Sequence, residues 1–282
     1  MMPAGSSVDS SMPEGPEIRR AADALAGAVV GKRLQRVFFG LPKLKRYERQ
    51  LDGSTVESIT PHGKALLIRF DAGWTMYSHN QLYGVWMVGK PGERPATSRS
   101  LRVELESADA AIRLYSASDI SLWPGEEVLQ HPFLQRIGPD VLDPALRAQD
   151  VLVRLKSAPF QTKRLSALLL DQAFLAGMGN YLRAEVLFVA RLDPDLRPAD
   201  LPAARLRALA KALLAVPQHS YRARGIEPSR RMKAAYTVSG TGAFRFQVFD
   251  RAGEPCFECG TLIQRVERDG RRLYVCPHCQ GG

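Results

Sequence analysis

The four cysteines of this chain lie in its last 27 residues, as Cys256-x-x-Cys259 and, sixteen residues on, Cys276-x-x-Cys279. Two close pairs at that separation bring four thiolates around one tetrahedral zinc ion. The segment between them, IQRVERDGRRLYV, reads as a hairpin turning at Asp269-Gly270. Two disulfides would need an oxidising compartment, and the leading residues do not read as an export signal. A redox Cys-x-x-Cys belongs in a βαβ setting, which the pattern here lacks. The spacing therefore predicts one structural Zn2+ held by Cys256, Cys259, Cys276 and Cys279, in a ribbon too small to fold without its metal. A second constellation is Ala176-Gly177-Met178-Gly179-Asn180, between two apolar segments. Gly177 and Gly179 suit a tight reversal with positive φ, which would place Asn180 at the start of a helix. Free N–H groups at such a start make a phosphate site. An ordinary helical hairpin with Asn180 as its cap explains the same residues.

These groups need elements to carry them, and the hydrophobic pattern supplies three regions. Ile18, Ala22, Leu25 and Val29 recur at helical steps between Pro16, which suits a first turn, and Gly31, which suits a C-terminal exit. RLQRVFF, STVESIT, KALLIRF, WTMYSH, YGVWMV, LRVELES and AIRLYS then read as short antiparallel strands of a β-sandwich, with residues 89–100 as a loop. Helical spacing returns from about Asp143, through LSALLLDQAFLAG, NYLRAEVLF and AARLRALAKALLAV, and the cysteine hairpin closes the chain. The predicted fold is α+β and multidomain: a leading helix with an antiparallel β-sandwich over residues 12–141, an α domain over 142–243 and a zinc ribbon over 244–282. The balance of 39 basic against 29 acidic residues, net +10, suggests a polyanionic partner, nucleic acid first. No run of 18 apolar residues is present to cross a membrane.

Six segments in order resemble the formamidopyrimidine-DNA glycosylase / endonuclease VIII family: MPEGPE from Met12, HGKALL (62–67), YSHNQLYG (77–84), HPFLQRIGPD (131–140), LDQAFLAGMGNYLRAE (170–185) and the four-cysteine ribbon ending CPHCQ. The resemblance covers Met12 to the C-terminus. It implies a β-sandwich, a helix–two-turn–helix domain and a zinc finger with damaged double-stranded DNA in the cleft between them. The implied activity is that of a bifunctional DNA glycosylase/AP lyase of base excision repair, working as a monomer on nucleoid DNA in the cytoplasm. By resemblance Pro13 is the nucleophile, through a free secondary amine. An α-amino group titrates near 8 against about 10.4 for lysine, so far more of it is unprotonated at neutral pH. Such an amine forms a Schiff base with a carbonyl-level carbon, and β,δ-elimination of both phosphates follows. Glu14 is implied as the general acid and Lys64 as the lysine beside the nucleophile. Glu17 matches a second glutamate of the first helix. Asn180 and Arg136 match residues that grip the DNA backbone, and Arg271 matches the zinc-finger arginine of the second elimination. Arg272 beside it is a departure that leaves open which arginine points inward.

The extruded base leaves a hole in the duplex that something must fill. Gln81-Leu82-Tyr83, on a hairpin between two strands, matches the inserted trio of the endonuclease VIII branch, which implies oxidised pyrimidines as substrates. Two alternatives are oxidised purines (8-oxoguanine and formamidopyrimidine) and, if Pro13 is not the mature N-terminus, a non-catalytic DNA-damage-binding protein. The eleven residues before Met12 bear on this, because an internal Pro13 has an amide nitrogen with no basic lone pair. A start at Met1 places Met2 next, and a start at Met2 exposes Pro3 followed by Ala4. Only Met12 yields Pro-Glu-Gly-Pro-Glu, so residues 1–11 are expected to be a disordered extension or a mis-assigned start.

Overall fold

The computed structural model describes residues 13–81, 83–223, 225–227, 238 and 240–281. Residues 1–12 and Leu82 lie outside the described residues, and with them the expectations placed on Met12, the leading extension and Leu82. The chain opens with helix α1, Gly15–Val29. Strands β1 (Arg36–Phe39), β2 (Val56–His62), β3 (Ala65–Phe70), β4 (Trp74–His79), β5 (Val85–Gly89), β6 (Leu101–Glu106), β7 (Ala111–Tyr115) and β8 (Asp119–Pro124) follow, with a short helix α2, Glu48–Leu51, after β1. They form two antiparallel four-stranded sheets, ordered β1-β6-β7-β5 and β2-β3-β4-β8. Phe39, Val103, Leu105, Ile112 and Leu114 of one sheet meet Val56, Ile68, Phe70, Met76 and Ile120 of the other, and Ala22, Leu25 and Val29 of α1 join this core.

Helices α3 (Pro132–Arg136), α4 (Ala148–Lys156), α5 (Leu165–Leu168), α6 (Asn180–Val189) and α7 (Ala203–Arg222) make the next region. Strands β9 (Gln264–Arg268) and β10 (Arg271–Val275) and helix α8 (Pro277–Gln280) close the chain. Asp269 and Gly270 both have positive φ, at 54° and 70°, the geometry of the expected two-residue turn. The helices and the ribbon are not separate in packing. One apolar core runs from Leu155, Leu182 and Leu213 into Phe249, Ile263, Leu273 and Cys276. Among the described residues no helix is long and apolar enough to cross a membrane.

Three local expectations are corrected. An eighth strand, Asp119–Pro124, completes the second sheet against β4; its one polar-apolar alternation is cut short by Pro124. LSALLLDQAF is not one helix. Only Leu165–Leu168 is helical, because the Asp171 carboxylate accepts the Ala173 N–H and converts the segment to turns. The turn after β4 is not a hairpin within one sheet. β4 pairs with β3 and β8, whereas β5 pairs with β7, so residues 80–84 cross from one sheet to the other.

Candidate active site

The HGK segment forms the two-residue turn between β2 and β3, where His62 pairs with Ala65. Gly63 takes φ of 61°, and a side chain there would lie 2.9 Å from the Ala176 Cβ. The turn therefore lies against the Ala176-Gly177 reversal of the helical region. Asp140 clamps the two: its carboxylate accepts the Gly63 N–H at 2.7 Å and the Leu142 N–H at 2.8 Å, while its backbone bridges to Ala176. Lys64 is thus a turn residue, held by loop packing rather than standing in a strand.

The start of α1 meets the same reversal. The Gly15 N–H donates to the Gly177 carbonyl at 2.8 Å. Gly177 has the expected positive φ, 91°, but Gly179 does not. Its φ is −148°, an extended backbone that any residue adopts. Gly179 is needed for space: a Cβ there would lie 2.2 Å from Glu14 Cδ. The Glu14 carboxylate occupies that space and caps α6. It accepts the Tyr181 N–H at 2.8 Å and the Leu182 N–H at 3.2 Å. The anion at this helix start is therefore a side chain of the protein itself, and the expected phosphate site on those backbone groups is already filled.

Glu14 is buried, and burial pushes its carboxyl up to about 7. The ammonium of Lys64 acts against this and the carboxyl of Glu17 adds to it. Lys64 is pulled below its usual range by burial; Glu14 raises it and the positive charge of Arg271 lowers it again. Glu17 is also buried and raised by burial, with Arg20 opposing at 2.6 Å. Its carboxylate accepts the Glu14 N–H at 3.0 Å and the Tyr181 hydroxyl at 3.1 Å. A proton-holding carboxyl beside a lysine of lowered basicity is an arrangement for acid–base work.

The ribbon reaches this centre through α6. The Asn180 Nδ2 donates to the Arg272 carbonyl at 2.9 Å, and Arg183 joins the Asn180 Oδ1 at 2.6 Å and the same carbonyl at 3.2 Å. Asn180 is the first residue of the helix rather than its cap, and it ties α6 to β10. Arg271 is exposed and its charge reaches Lys64, whereas the Arg272 backbone is spent on the docking contact. Pro13, half-buried, precedes Glu14 directly. The structure thus brings Pro13, Glu14, Lys64, Asn180 and Arg271 together.

Gln81 and Tyr83 lie on the crossing turn and Arg136 on α3. Tyr83 is 66% exposed on the crossing turn. Arg136 ends α3, its Nε donating to the Pro132 carbonyl at 2.9 Å. The sequence alone does not single out Asp140 or Tyr181. Asp140 ends the HPFLQRIGPD motif and Tyr181 follows the AGMGN reversal, but nothing local marks their partners.

The ligand atoms of Cys256, Cys259, Cys276 and Cys279 all lie within 4.8 Å of one another. The Cys259 and Cys276 sulfurs are 3.5 Å apart, consistent with two thiolates on one ion at Zn–S distances of about 2.3 Å. The donor set is all sulfur and closed, which suits a structural site.

Comparisons agree with this geometry. Residues 12–117 match the formamidopyrimidine-DNA glycosylase N-terminal domain, 137–229 the formamidopyrimidine-DNA glycosylase H2TH domain, and 253–281 the zinc finger found in FPG and IleRS. The ribbon accordingly holds one structural zinc. An endonuclease 8 of Escherichia coli is 52% identical over 269 residues, 95% of this chain and 100% of that protein. That of Shigella sonnei is 51% identical over the same shares. A solved complex of wild-type Lactococcus lactis FPG (MutM) with DNA containing an oxidized pyrimidine has a TM-score of 0.79 at 22% identity, covering 96% of this chain and 100% of that one. A mutant of the same FPG with Fapy-dG DNA reaches 0.81. These two likenesses speak for the fold, and the endonuclease 8 relatives speak for descent: the chain belongs to the formamidopyrimidine-DNA glycosylase / endonuclease 8 family.

Proposed function

We propose that this protein is a bifunctional DNA glycosylase/AP lyase of base excision repair that removes oxidised pyrimidines from duplex DNA. The observation that carries the reading is the placement of Glu14. A carboxyl that holds its proton near neutrality adjoins Pro13, and a lysine of depressed basicity lies beside it. In this reading the Pro13 nitrogen attacks C1′ of the damaged nucleoside. Glu14 supplies the proton that opens the deoxyribose, and the base leaves. The resulting iminium acidifies the C2′ proton, so the 3′ and then the 5′ phosphate are eliminated. Lys64 and Arg271 are the cations for the phosphates flanking the lesion. Asn180 sets the ribbon against α6, Arg136 grips the backbone, and Gln81, Leu82 and Tyr83 enter the duplex.

The sandwich, the helical region and the ribbon keep the bounds 12–141, 142–243 and 244–282 in this account. The enzyme works as a monomer on cytoplasmic, nucleoid-associated DNA. The pyrimidine preference rests on the Gln81-Leu82-Tyr83 sequence and on the identity to endonuclease 8.

The test is chemical. Protein begun at Met12, with that methionine removed, should cleave a thymine-glycol duplex and be trapped on it by borohydride through Pro13. Protein that retains residues 1–12 should do neither. Equal activity of the two forms, with intact mass showing the extension retained, would mean that Pro13 is not the nucleophile.

A further inference from the structure

The turn that carries Gln81 and Tyr83 is held by His79, Ser118 and Arg99. Gln81 has φ of 51°. A non-glycine residue keeps such a left-handed backbone only where its surroundings over-determine it. The Gln81 N–H donates to the Nδ1 of His79 at 3.0 Å. The Ser118 hydroxyl donates to the Gln81 Oε1 at 2.9 Å, and Arg99 donates to the Tyr83 carbonyl at 2.6 Å. The Gly84 N–H closes the turn on the Asn80 carbonyl at 2.7 Å. Of these partners only the His79 acceptor can be lost by taking up one proton within a few pH units of neutrality. Nδ1 accepts, so the proton of the neutral ring lies on Nε2.

We propose that His79 is a positioning residue for duplex substrates: its neutral imidazole holds the turn of Gln81 and Tyr83 in the left-handed form that enters DNA, and protonation of that imidazole releases the turn. The inference rests on the proposed duplex-filling role of this turn. The groups that face His79 bear on its charge. Asp119 is its register partner on β8 and favours protonation. Lys64 on the β2–β3 turn and His131 before α3 oppose it. The Tyr77 hydroxyl lies on the Asp119 carboxylate at 3.4 Å and its ring stacks on His131 at 3.8 Å. Arg136 on α3 adds a positive charge that acts on His131. The Phe133 ring packs edge-on against His79 at 5.3 Å. Burial outweighs the other influences, so His79 titrates below its ordinary range and keeps its acceptor at neutral pH.

The experiment compares excision from a lesion duplex with excision from the same lesion in single-stranded DNA. Protein with a free Pro13 is used across pH 5 to 8. The ratio cancels the pH dependence of the shared chemistry. For the wild type the duplex-to-single-strand ratio should fall about three- to tenfold as the imidazole is protonated, the loss of one hydrogen bond. His79→Phe keeps a ring against Phe133 and removes the acceptor, so its ratio should be low and flat with pH. His79→Asn places Oδ1 two bonds from Cβ, as Nδ1 is, and does not titrate. Its ratio should be near the neutral wild-type value and stay there in acid. A pH-independent wild-type ratio, a His79→Phe variant that loses both activities equally, or a His79→Asn variant no better than His79→Phe would overturn the proposal. A wild-type chain that excises from neither substrate would instead sink the glycosylase reading.

Discussion

Gly179→Ala should disable the site through Glu14 alone. The backbone at Gly179 is extended, so alanine meets no φ penalty. In the unfolded chain it is worth about 0.4–1 kcal/mol in favour of folding. In the folded chain its Cβ would lie 2.2 Å from Glu14 Cδ and 2.4 Å from Oε1. Such contacts cannot persist, and the end of the Glu14 side chain is the part free to rotate. Moving it gives up the bonds from Tyr181 and Leu182 to a carboxylate. Hydrogen bonds to charged groups are worth about 1.5–3 kcal/mol each. With the unfolded-state gain set against them, the net loss is about 2–6 kcal/mol in the unit that contains α6. Urea unfolding above pH 7, where Glu14 is a carboxylate, should register it. Base excision should fall about 10²-fold, the lower end of what a positioned acid contributes. The refuting experiment is a double-mutant cycle. In a Glu14→Ala background nothing occupies the space, so Gly179→Ala should become neutral or slightly stabilising. Independent sites add to within about 0.3–0.5 kcal/mol. An equal cost of Gly179→Ala in both backgrounds would refute the reasoning.

Three further outcomes follow from the same geometry. Glu14 is protonated below about 7 and loses its proton as pH rises through that value, so excision should have a descending limb there. Lys64→Met removes the charge that lowers the Glu14 pKa and should move that limb to higher pH while reducing the rate; a limb at the wild-type position in a pH profile of kcat/KM would uncouple the pair. Stripping zinc should lower hydrogen-exchange protection in α6 as well as in the ribbon, because Leu182, Leu273 and Cys276 share one core, and should leave β3 protected; unchanged α6 protection would count against the shared core. Affinity for duplex DNA should fall steeply with salt as cationic contacts release counterions, and Arg271→Ala should flatten the log–log slope by about one unit or less; a slope unchanged within error would remove Arg271 from the phosphate contacts.

The readable and unreadable parts of this site differ in the range of the interactions behind them. The cysteine spacing, the Asp269-Gly270 turn and the positive φ of Gly177 are local, and each is visible in a few adjacent residues. The motifs that resemble a family locate Pro13, Glu14 and Lys64, but only as types in an order. What the residues do to one another depends on contacts far apart in sequence. Gly179 looks like a turn glycine, and its reason is a carboxylate that arrives from residue 14. The α6 start looks like a phosphate site, and its anion is that same carboxylate. The crossing of residues 80–84 between sheets is hidden because two adjacent strands with a short turn ordinarily pair with each other. Here the β4 edge is taken by β8, whose alternation is too short to announce it.

Two hydrogen bonds then bear on both the position of Glu14 and its hold on a proton. The amides of Tyr181 and Leu182 draw the first residues of α1 into the junction with the helical region, which buries Glu14. Burial raises its pKa to about 7 against the pull of those same amides and of Lys64. A glutamate left at the surface near its ordinary value would be ionised at neutral pH and of little use as an acid. The tie that fixes the start of α1 therefore also imposes the burial that keeps a proton on Glu14 near neutrality.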